Sequence, residues 1–132
     1  MEEDKKTKIL IVEDEGIILK TYAEKLRYEG FLVITARNGE EGLELALSEK
    51  PDLILLDILM PVMDGLAMMD MLRKKNEYGK NIPIILLTNL SPDEEKIMAA
   101  ITKNGPAYYL IKSETDLSKV VEKIRERLTR DM

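Results

Sequence analysis

The sequence predicts an α/β fold, an open, doubly wound parallel sheet of five strands with helices on both of its faces. Five short apolar segments of strand length recur along the chain, and segments with helical spacing lie between them. The apolar segments are mostly continuous and do not alternate with polar residues, which is typical of parallel strands covered on both faces. Strict alternation of strand and helix favours parallel neighbours joined by right-handed crossovers, and hence this fold.

The five predicted strands are short and rich in branched aliphatic and aromatic residues. Glycine, asparagine or proline marks several of the boundaries between them and the neighbouring helices. The strands are Lys8–Val12, Phe31–Thr35, Asp52–Leu56, Ile82–Leu87 and Ala107–Ile111.

Five helices are expected between and after these strands, and the last is the clearest. Its apolar residues fall on one face and its charged residues on the other, so it should cover the sheet. The apolar positions are Leu117, Val120, Val121, Ile124 and Leu128.

The fourth helix has signals at both ends. Ser91-Pro92-Asp93-Glu94 is a capping box with proline at the first helical position, and Asn104-Gly105 ends a helix. We therefore expect this helix to run from roughly Pro92 to Lys103.

Length and composition predict one domain and limit its chemistry. The chain has 132 residues, of which 45% are hydrophobic, so we expect a flexible tail at 1–7 and a single domain over 8–130. Because cysteine and histidine are both absent, disulfides, thiolate metal sites and imidazole chemistry are excluded. Any reaction must use carboxylates, hydroxyls, lysines or the backbone.

Charge and hydropathy limit the kinds of partner and the cellular location that we expect for this protein. The net charge is −5 with acids and bases interspersed, so we expect no direct nucleic-acid binding. The apolar segments are too short to span a bilayer, and the charged N-terminus does not resemble a signal peptide. A cytoplasmic location is the expectation.

Polar residues follow most of the predicted strands, at the sheet edge where ligands of such folds bind. Glu13 and Asp14 follow the first strand, Asp57 the third, Thr88 the fourth and Lys112 the fifth. The second strand offers only Ala36-Arg37. If the strand order is 2-1-3-4-5, the first and third strands are neighbours and three carboxylates converge.

Three adjacent carboxylates repel one another unless a cation is present, and one or two carboxylates with water form a typical Mg²⁺ site. Thr88 and Lys112 add a hydroxyl and a positive charge, which suit the oxygens of a phosphoryl group. The pattern favours Asp57 as a phosphoryl acceptor beside magnesium.

Four motifs in order carry a family resemblance: VEDE after the first strand, DILMPVMDG after the third, a threonine after the fourth, and YLIK in the fifth. From about Lys8 to Leu128 the chain resembles the receiver domain of response regulators in two-component signalling, of the chemotaxis-regulator type. The resemblance implies the flavodoxin-like receiver fold with strand order 2-1-3-4-5. It also implies a phosphoprotein that assists its own phosphorylation and dephosphorylation without being an enzyme.

The resemblance assigns a role to each site residue. Asp57 would be the phospho-acceptor, Thr88 the switch hydroxyl, Tyr109 the switch aromatic and Lys112 the lysine. Mg²⁺ would be bound by Glu13 through water, Asp14, Asp57 and the backbone carbonyl of Leu59.

The implied partners are proteins. A sensor histidine kinase or histidine phosphotransfer protein would supply the phosphoryl group. A downstream protein would bind the face formed by the fourth helix, fifth strand and fifth helix. The receiver itself would be a monomer or a weak dimer. Whether the chain acts alone or comes from a longer regulator is left open.

The sequence departs from the family pattern at three places. Ser113 follows Lys112 where the family has a proline, often after a cis bond, and we expect a trans peptide here. Gly105-Pro106-Ala107-Tyr108 stands where the family commonly has a pair of acids, so the dimer contact that uses those acids is not expected. Leu59 and Leu90 offer no group to orient an attacking water, which predicts a long-lived phosphoryl group.

Other interpretations stay open. Taken singly, Glu13 and Asp14 can cap a helix, Asp57 can be a loop acid, and Tyr109 can be a packing residue. The whole chain can be a pseudo-receiver that is never phosphorylated. A small aspartyl phosphatase of the haloacid-dehalogenase type is disfavoured because it needs a second aspartate where Leu59 stands, and a flavodoxin-like cofactor carrier is disfavoured because acids repel phosphate.

Overall fold

The sheet has the predicted number of strands in the predicted order. The computed structural model describes residues 6–91 and 94–130, and within them all neighbouring strands are parallel in the order β2-β1-β3-β4-β5. The predicted strand order is therefore confirmed. The strands are β1 (Lys8–Val12), β2 (Leu32–Ala36), β3 (Leu53–Leu56), β4 (Ile84–Thr88) and β5 (Tyr108–Ile111).

Four of the five strands begin later than predicted, β4 by two residues and β2, β3 and β5 by one. For β2 and β4 the reason is that the residues before them complete helix ends. The N–H of Phe31 donates to the carbonyl of Leu26 at 3.1 Å, so Phe31 belongs to the turn before β2. The N–H of Ile82 likewise donates to Tyr78 at 3.0 Å, and Pro83 has no N–H to offer a sheet. Strand β4 therefore starts at Ile84.

Six α-helices lie in the described part of the chain, one more than predicted. The extra helix is the fourth, a short helix that Asn76 caps by accepting a hydrogen bond from the N–H of Gly79 at 2.8 Å. The fourth and fifth predicted helices thus become α5 and α6. The helices are α1 (Gly16–Tyr28), α2 (Gly39–Glu49), α3 (Gly65–Lys75), α4 (Glu77–Asn81), α5 (Glu95–Asn104) and α6 (Leu117–Thr129).

Helix α5 begins later than the capping box predicted. Pro92 and Asp93 lie outside the described residues, but the backbone of Glu94 is extended (φ −69°, ψ 135°), so the helix starts at Glu95. The predicted end is correct, since Gly105 closes the helix in the left-handed conformation (φ 51°).

The core has two layers, one on each face of the sheet. Alternate residues of β1, β3 and β4 point to opposite faces, and all four residues of β3 are buried. Helices α2, α3 and α5 cover one face, whereas α1 and α6 cover the other. This two-sided burial explains why the strand sequences do not alternate.

No helix in the described ranges combines the length and apolar character needed to cross a membrane. Most of the predicted flexible tail at 1–7 falls on residues 1–5, outside the described part. Thr7 is tied to the sheet, because its carbonyl accepts a hydrogen bond from the N–H of Leu32 at 2.9 Å.

Candidate functional site

Two acids at the carboxyl edge of the sheet are held by backbone hydrogen bonds that extend the strands. The N–H of Glu13 donates to Ala36 at 3.0 Å, just past the end of β1. The N–H of Asp57 donates to Val12 at 3.0 Å, just past the end of β3. Both acids therefore sit at fixed positions on neighbouring strands.

Asp57 is a buried carboxylate that accepts two hydrogen bonds. Its Oδ1 accepts a hydrogen bond from the N–H of Ile58 at 2.7 Å, and its Oδ2 accepts one from Nζ of Lys112 at 2.9 Å. The loop after Asp57 folds back so closely that a Cβ on Gly65 would lie 2.1 Å from the Asp57 carbonyl oxygen. Glycine at 65 is thus a requirement of the loop.

Glu13 is also buried, whereas Asp14 beside it is half-buried. Glu13 Oε2 accepts a hydrogen bond from the N–H of Glu15 at 3.0 Å, and Oε1 accepts one from Nζ of Lys112. Burial raises the pKa of Glu13, and the hydrogen bonds from Lys112 and Glu15 offset this only in part.

Lys112 joins the two buried acids. Its ammonium lies between Glu13 and Asp57 and forms an ion pair with each. Burial alone lowers the pKa of Lys112, but the hydrogen bonds to Glu13 and Asp57 outweigh it, so the pKa lies above its ordinary value. Lys112 is therefore a fixed positive charge at neutral pH.

The carboxylates of Glu13, Asp14 and Asp57 converge, with one oxygen of each within 4.8 Å of the others. One ammonium cannot balance three carboxylates, so the cluster keeps an excess of negative charge in a partly buried place. Hard oxygen donors with an unbalanced negative charge fit a divalent cation such as Mg²⁺. The donor set is thus compatible with the predicted metal.

Thr88 and Tyr109 lie on the neighbouring strands. Thr88 is buried at the end of β4, where it pairs with Ile111 of β5, the residue before Lys112. Its Oγ1 accepts a hydrogen bond from the N–H of Leu90 at 3.4 Å, and the hydroxyl of half-buried Tyr109 donates to the Leu90 carbonyl at 2.8 Å. The loop after β4 therefore has a contact with both predicted switch residues.

Two further predictions concern Leu59 and the peptide bond between Lys112 and Ser113. The side chain of Leu59, in the loop after Asp57, is 61% exposed. Since the described residues contain no cis peptide, Lys112-Ser113 is trans, as predicted.

This arrangement of acids, hydroxyl and lysine agrees with a family match. The model of the response regulator receiver domain matches residues 9–125. The chain belongs to this family. Response regulator receiver domains act in two-component signal transduction, so this part of the functional prediction is confirmed.

Curated relatives of this receiver domain include transcriptional regulators. The chain is 32% identical to the probable transcriptional regulatory protein TcrX of Mycobacterium tuberculosis over 92% of this chain and 50% of TcrX. It is 40% identical to the alkaline phosphatase synthesis transcriptional regulatory protein PhoP of Bacillus subtilis, over 69% of this chain and 37% of PhoP. The chain thus spans half or less of the length of these two relatives, and their names give no support to the expectation of no nucleic-acid binding.

Solved receiver structures have the same fold. A CheY-like receiver domain protein from Methanospirillum hungatei superposes with a TM-score of 0.85 at 27% identity, covering 95% of each chain. The chemotaxis response regulator CheY4 of Vibrio cholerae gives a TM-score of 0.81 at 27% identity, covering 92% of this chain and 98% of CheY4. The predicted fold class is therefore confirmed.

Two residues next to this receiver site were not predicted. A guanidinium nitrogen of Arg37 donates to the Asp14 carbonyl at 3.1 Å, and Oδ1 of Asn89 accepts a hydrogen bond from the N–H of Ser113 at 2.9 Å. Both are polar residues that closely follow a strand at the carboxyl edge. That position was the only signal in the sequence that pointed to them.

Proposed function

We propose that this receiver domain accepts a phosphoryl group on Asp57 and thereby changes its surface for a protein partner. The observation that carries the proposal is the convergence of Glu13, Asp14 and Asp57 within 4.8 Å, with Lys112 Nζ 2.9 Å from Asp57. A carboxylate oxygen of Asp57 would attack the phosphorus atom of a phosphodonor. The new oxygen–phosphorus bond replaces the bond to the donor group, which leaves with its electron pair.

The proposed metal ligands are Asp14, Asp57, the backbone carbonyl of Leu59, and Glu13 through a water molecule. When bound, Mg²⁺ would neutralise charge on the phosphoryl oxygens. Magnesium as the cation is supported by a similar structure: a complex of CheX and CheY from Borrelia burgdorferi contains BeF₃ and Mg²⁺, and it gives a TM-score of 0.79 at 27% identity, covering 92% of this chain and 89% of the other.

Lys112 and Thr88 would receive the oxygens of the transferred group. Lys112 is held between two carboxylates and is positively charged, so it can bind a phosphoryl oxygen without first gaining a proton. The Thr88 hydroxyl can donate a hydrogen bond to another oxygen. Rearrangement at Thr88 would reach Tyr109 through Leu90, which contacts both hydroxyls.

The surface that would change is formed by α5, β5 and α6. The loop between β4 and α5 contains Leu90, which contacts both Thr88 and Tyr109. A phosphoryl group at Asp57 can therefore alter this surface. The phosphodonor would be a histidine kinase or a histidine phosphotransfer protein. A downstream protein would bind the changed surface. The regulators named above have further sequence outside the match, which allows the output to be transcriptional in a longer protein.

Incubation with acetyl phosphate and MgCl₂, followed by intact-protein mass spectrometry, tests the proposal. One phosphoryl adduct is expected, and it should be absent without Mg²⁺ and absent in Asp57→Asn. Asp116→Asn is the matched control, because Asp116 caps α6 away from the site and asparagine caps equally well.

A different result would favour the pseudo-receiver. If the wild-type protein binds Mg²⁺ and takes up no phosphoryl group, the phospho-acceptor function is wrong. An adduct that persists in Asp57→Asn would place the acceptor elsewhere.

A further inference from the structure

A side-chain hydrogen bond joins the loops that follow β4 and β5. Oδ1 of Asn89 accepts a hydrogen bond from the N–H of Ser113 at 2.9 Å. Asn89 follows Thr88 directly, and Ser113 follows Lys112 directly. The bond therefore links the residues next to the two groups that would contact the phosphoryl oxygens.

The bond lies just beyond the end of the sheet. Thr88 and Ile111 are the last paired residues of β4 and β5. After Ile111 the chain turns into a short 3-10 helix, Lys112–Glu114. The first N–H groups of a helical turn have no partner within the turn, and Asn89 supplies one to Ser113 from the neighbouring loop.

The position of the Lys112 ammonium depends on this turn. A lysine side chain has four flexible methylene groups, so its charge is placed by its backbone as well as by its partners. Here the ammonium must contact Glu13 and Asp57 on two other strands at once. A backbone anchor one residue away reduces the conformations that the ammonium would otherwise sample.

We infer that Asn89 is a positioning residue that holds Lys112 in place for phosphoryl transfer to Asp57. This inference rests on the proposed function. It also means that the loops bearing Thr88 and Lys112 are tied together, so that a shift of one on phosphorylation is transmitted to the other.

A second contact keeps the loop after β4 attached when the Asn89 bond is lost. The hydroxyl of Tyr109 donates to the Leu90 carbonyl at 2.8 Å, independently of Asn89. Since Asn89 is exposed, its truncation opens no core cavity. Loss of the Asn89 side chain should therefore affect Lys112 more than the fold.

The test compares Asn89→Ala with Asn89→Asp, which keeps an oxygen acceptor for the Ser113 N–H. The maximal rate of phosphorylation by acetyl phosphate should fall roughly three- to tenfold in Asn89→Ala, the range expected for one hydrogen bond. Most of that rate should return in Asn89→Asp. In Asn89→Ala the Mg²⁺ concentration for half-maximal rate should not change, because this substitution neither adds nor removes an acid. Asn81→Ala, at an exposed position of α4, is the matched control.

Amide hydrogen exchange at Ser113 tests the bond without any phosphodonor. Exchange should be faster in Asn89→Ala than in the wild type and in Asn89→Asp. Equal exchange, or equal phosphorylation rates in wild type and Asn89→Ala, would overturn the role of Asn89 and leave the proposed function standing. A wild-type protein that takes up no phosphoryl group would overturn the proposed function and, with it, the kinetic role of Asn89.

Discussion

Charged side chains are partly buried at both ends of the sheet, but their partners differ. At the amino end of β4, half-buried Arg73 donates to the carbonyls of Asn104, Gly79 and Ile82 at 2.8, 2.9 and 2.6 Å. At the carboxyl end, Glu13 and Asp57 share the ammonium of Lys112, with Asp14 beside them.

The difference separates a structural charge from a site. Burial lowers the pKa of Arg73. The guanidinium N–H groups of Arg73 donate to neutral carbonyls of three segments and hold those segments together. The carboxyl end keeps more negative charge than its one ammonium can balance. A buried charge whose hydrogen-bond donors are all matched fits a structural role, whereas an unbalanced cluster of acids is a candidate site for a cation from solution.

The largest effect is expected from removing the cation at the carboxyl end. Lys112→Met should slow phosphorylation of Asp57 by roughly 100-fold, because the group that would stabilise the phosphoryl oxygens is lost. Time courses with acetyl phosphate at saturating Mg²⁺ measure this. Lys119→Met, on the exposed face of α6, should leave the rate unchanged, and an unchanged rate in Lys112→Met would refute the role of Lys112.

The opposite pattern is expected at the amino end. Arg73→Met should reduce the free energy of unfolding by about 2–4 kcal/mol, because several carbonyls lose a charged donor. Phosphorylation of the folded fraction should not change. Urea denaturation provides the measurement, with exposed Arg27→Met as the control. If Arg73→Met impaired phosphorylation at full folding, the two ends would not be separable.

A smaller effect concerns the lifetime of the phosphoryl group. Because Leu59 and Leu90 carry no polar group, the wild-type phosphoprotein should lose its label slowly. Leu59→Asn should accelerate the loss on the order of tenfold by orienting a water. Val62→Asn is the control, since Val62 is also exposed in the same loop and has a positive φ that asparagine tolerates. Rapid loss from the wild type, or loss from Leu59→Asn that is no faster than from Val62→Asn, would contradict the prediction.

The smallest effect is expected at two ion pairs near Arg73, which share half-buried Asp70. Asp70 contacts Lys103 and Lys74, each at 3.0 Å, and these ammonium groups lower its pKa from 3.8 to about 2. A lowered pKa means that the ion pairs stabilise the fold above pH 3.8 and lose this effect as the pH falls through about 2. An NMR titration of the Asp70 carboxyl should give that midpoint. Lys103→Gln should raise the midpoint and Lys119→Gln should not.

The strands could be predicted from the sequence because they depend on local pattern, whereas the convergence of the acids was predicted from the strand order that the family resemblance implied. A continuous apolar strand that ends on Asp57 is visible in thirteen consecutive residues, LILLDILMPVMDG. The strand order then brings Glu13 and Asp14 to the same edge. The roles assigned to these residues stay predictions.

The features that sequence analysis missed depend on long-range contacts or on short elements. Arg73 reaches Asn104 across 31 positions, and Ser113 reaches Asn89 across 24, so neither bond has a periodic signal. Helix α4 has five residues, too few to show an amphipathic repeat. The predicted start of α5 was wrong, because a capping motif indicates only a local preference for a helix start and Glu94 is in fact extended.

The most direct test of the central claim is whether Mg²⁺ stabilises the protein through the acidic cluster. Urea unfolding should be measured with and without MgCl₂ at matched ionic strength, in the wild type and in Asp14→Asn. Mg²⁺ at ten times its dissociation constant should raise the free energy of unfolding of the wild type by about 1.4 kcal/mol. Asp14→Asn should lose most of this gain. Equal gains in both proteins, or none in the wild type, would contradict a metal site at the carboxyl end of the sheet.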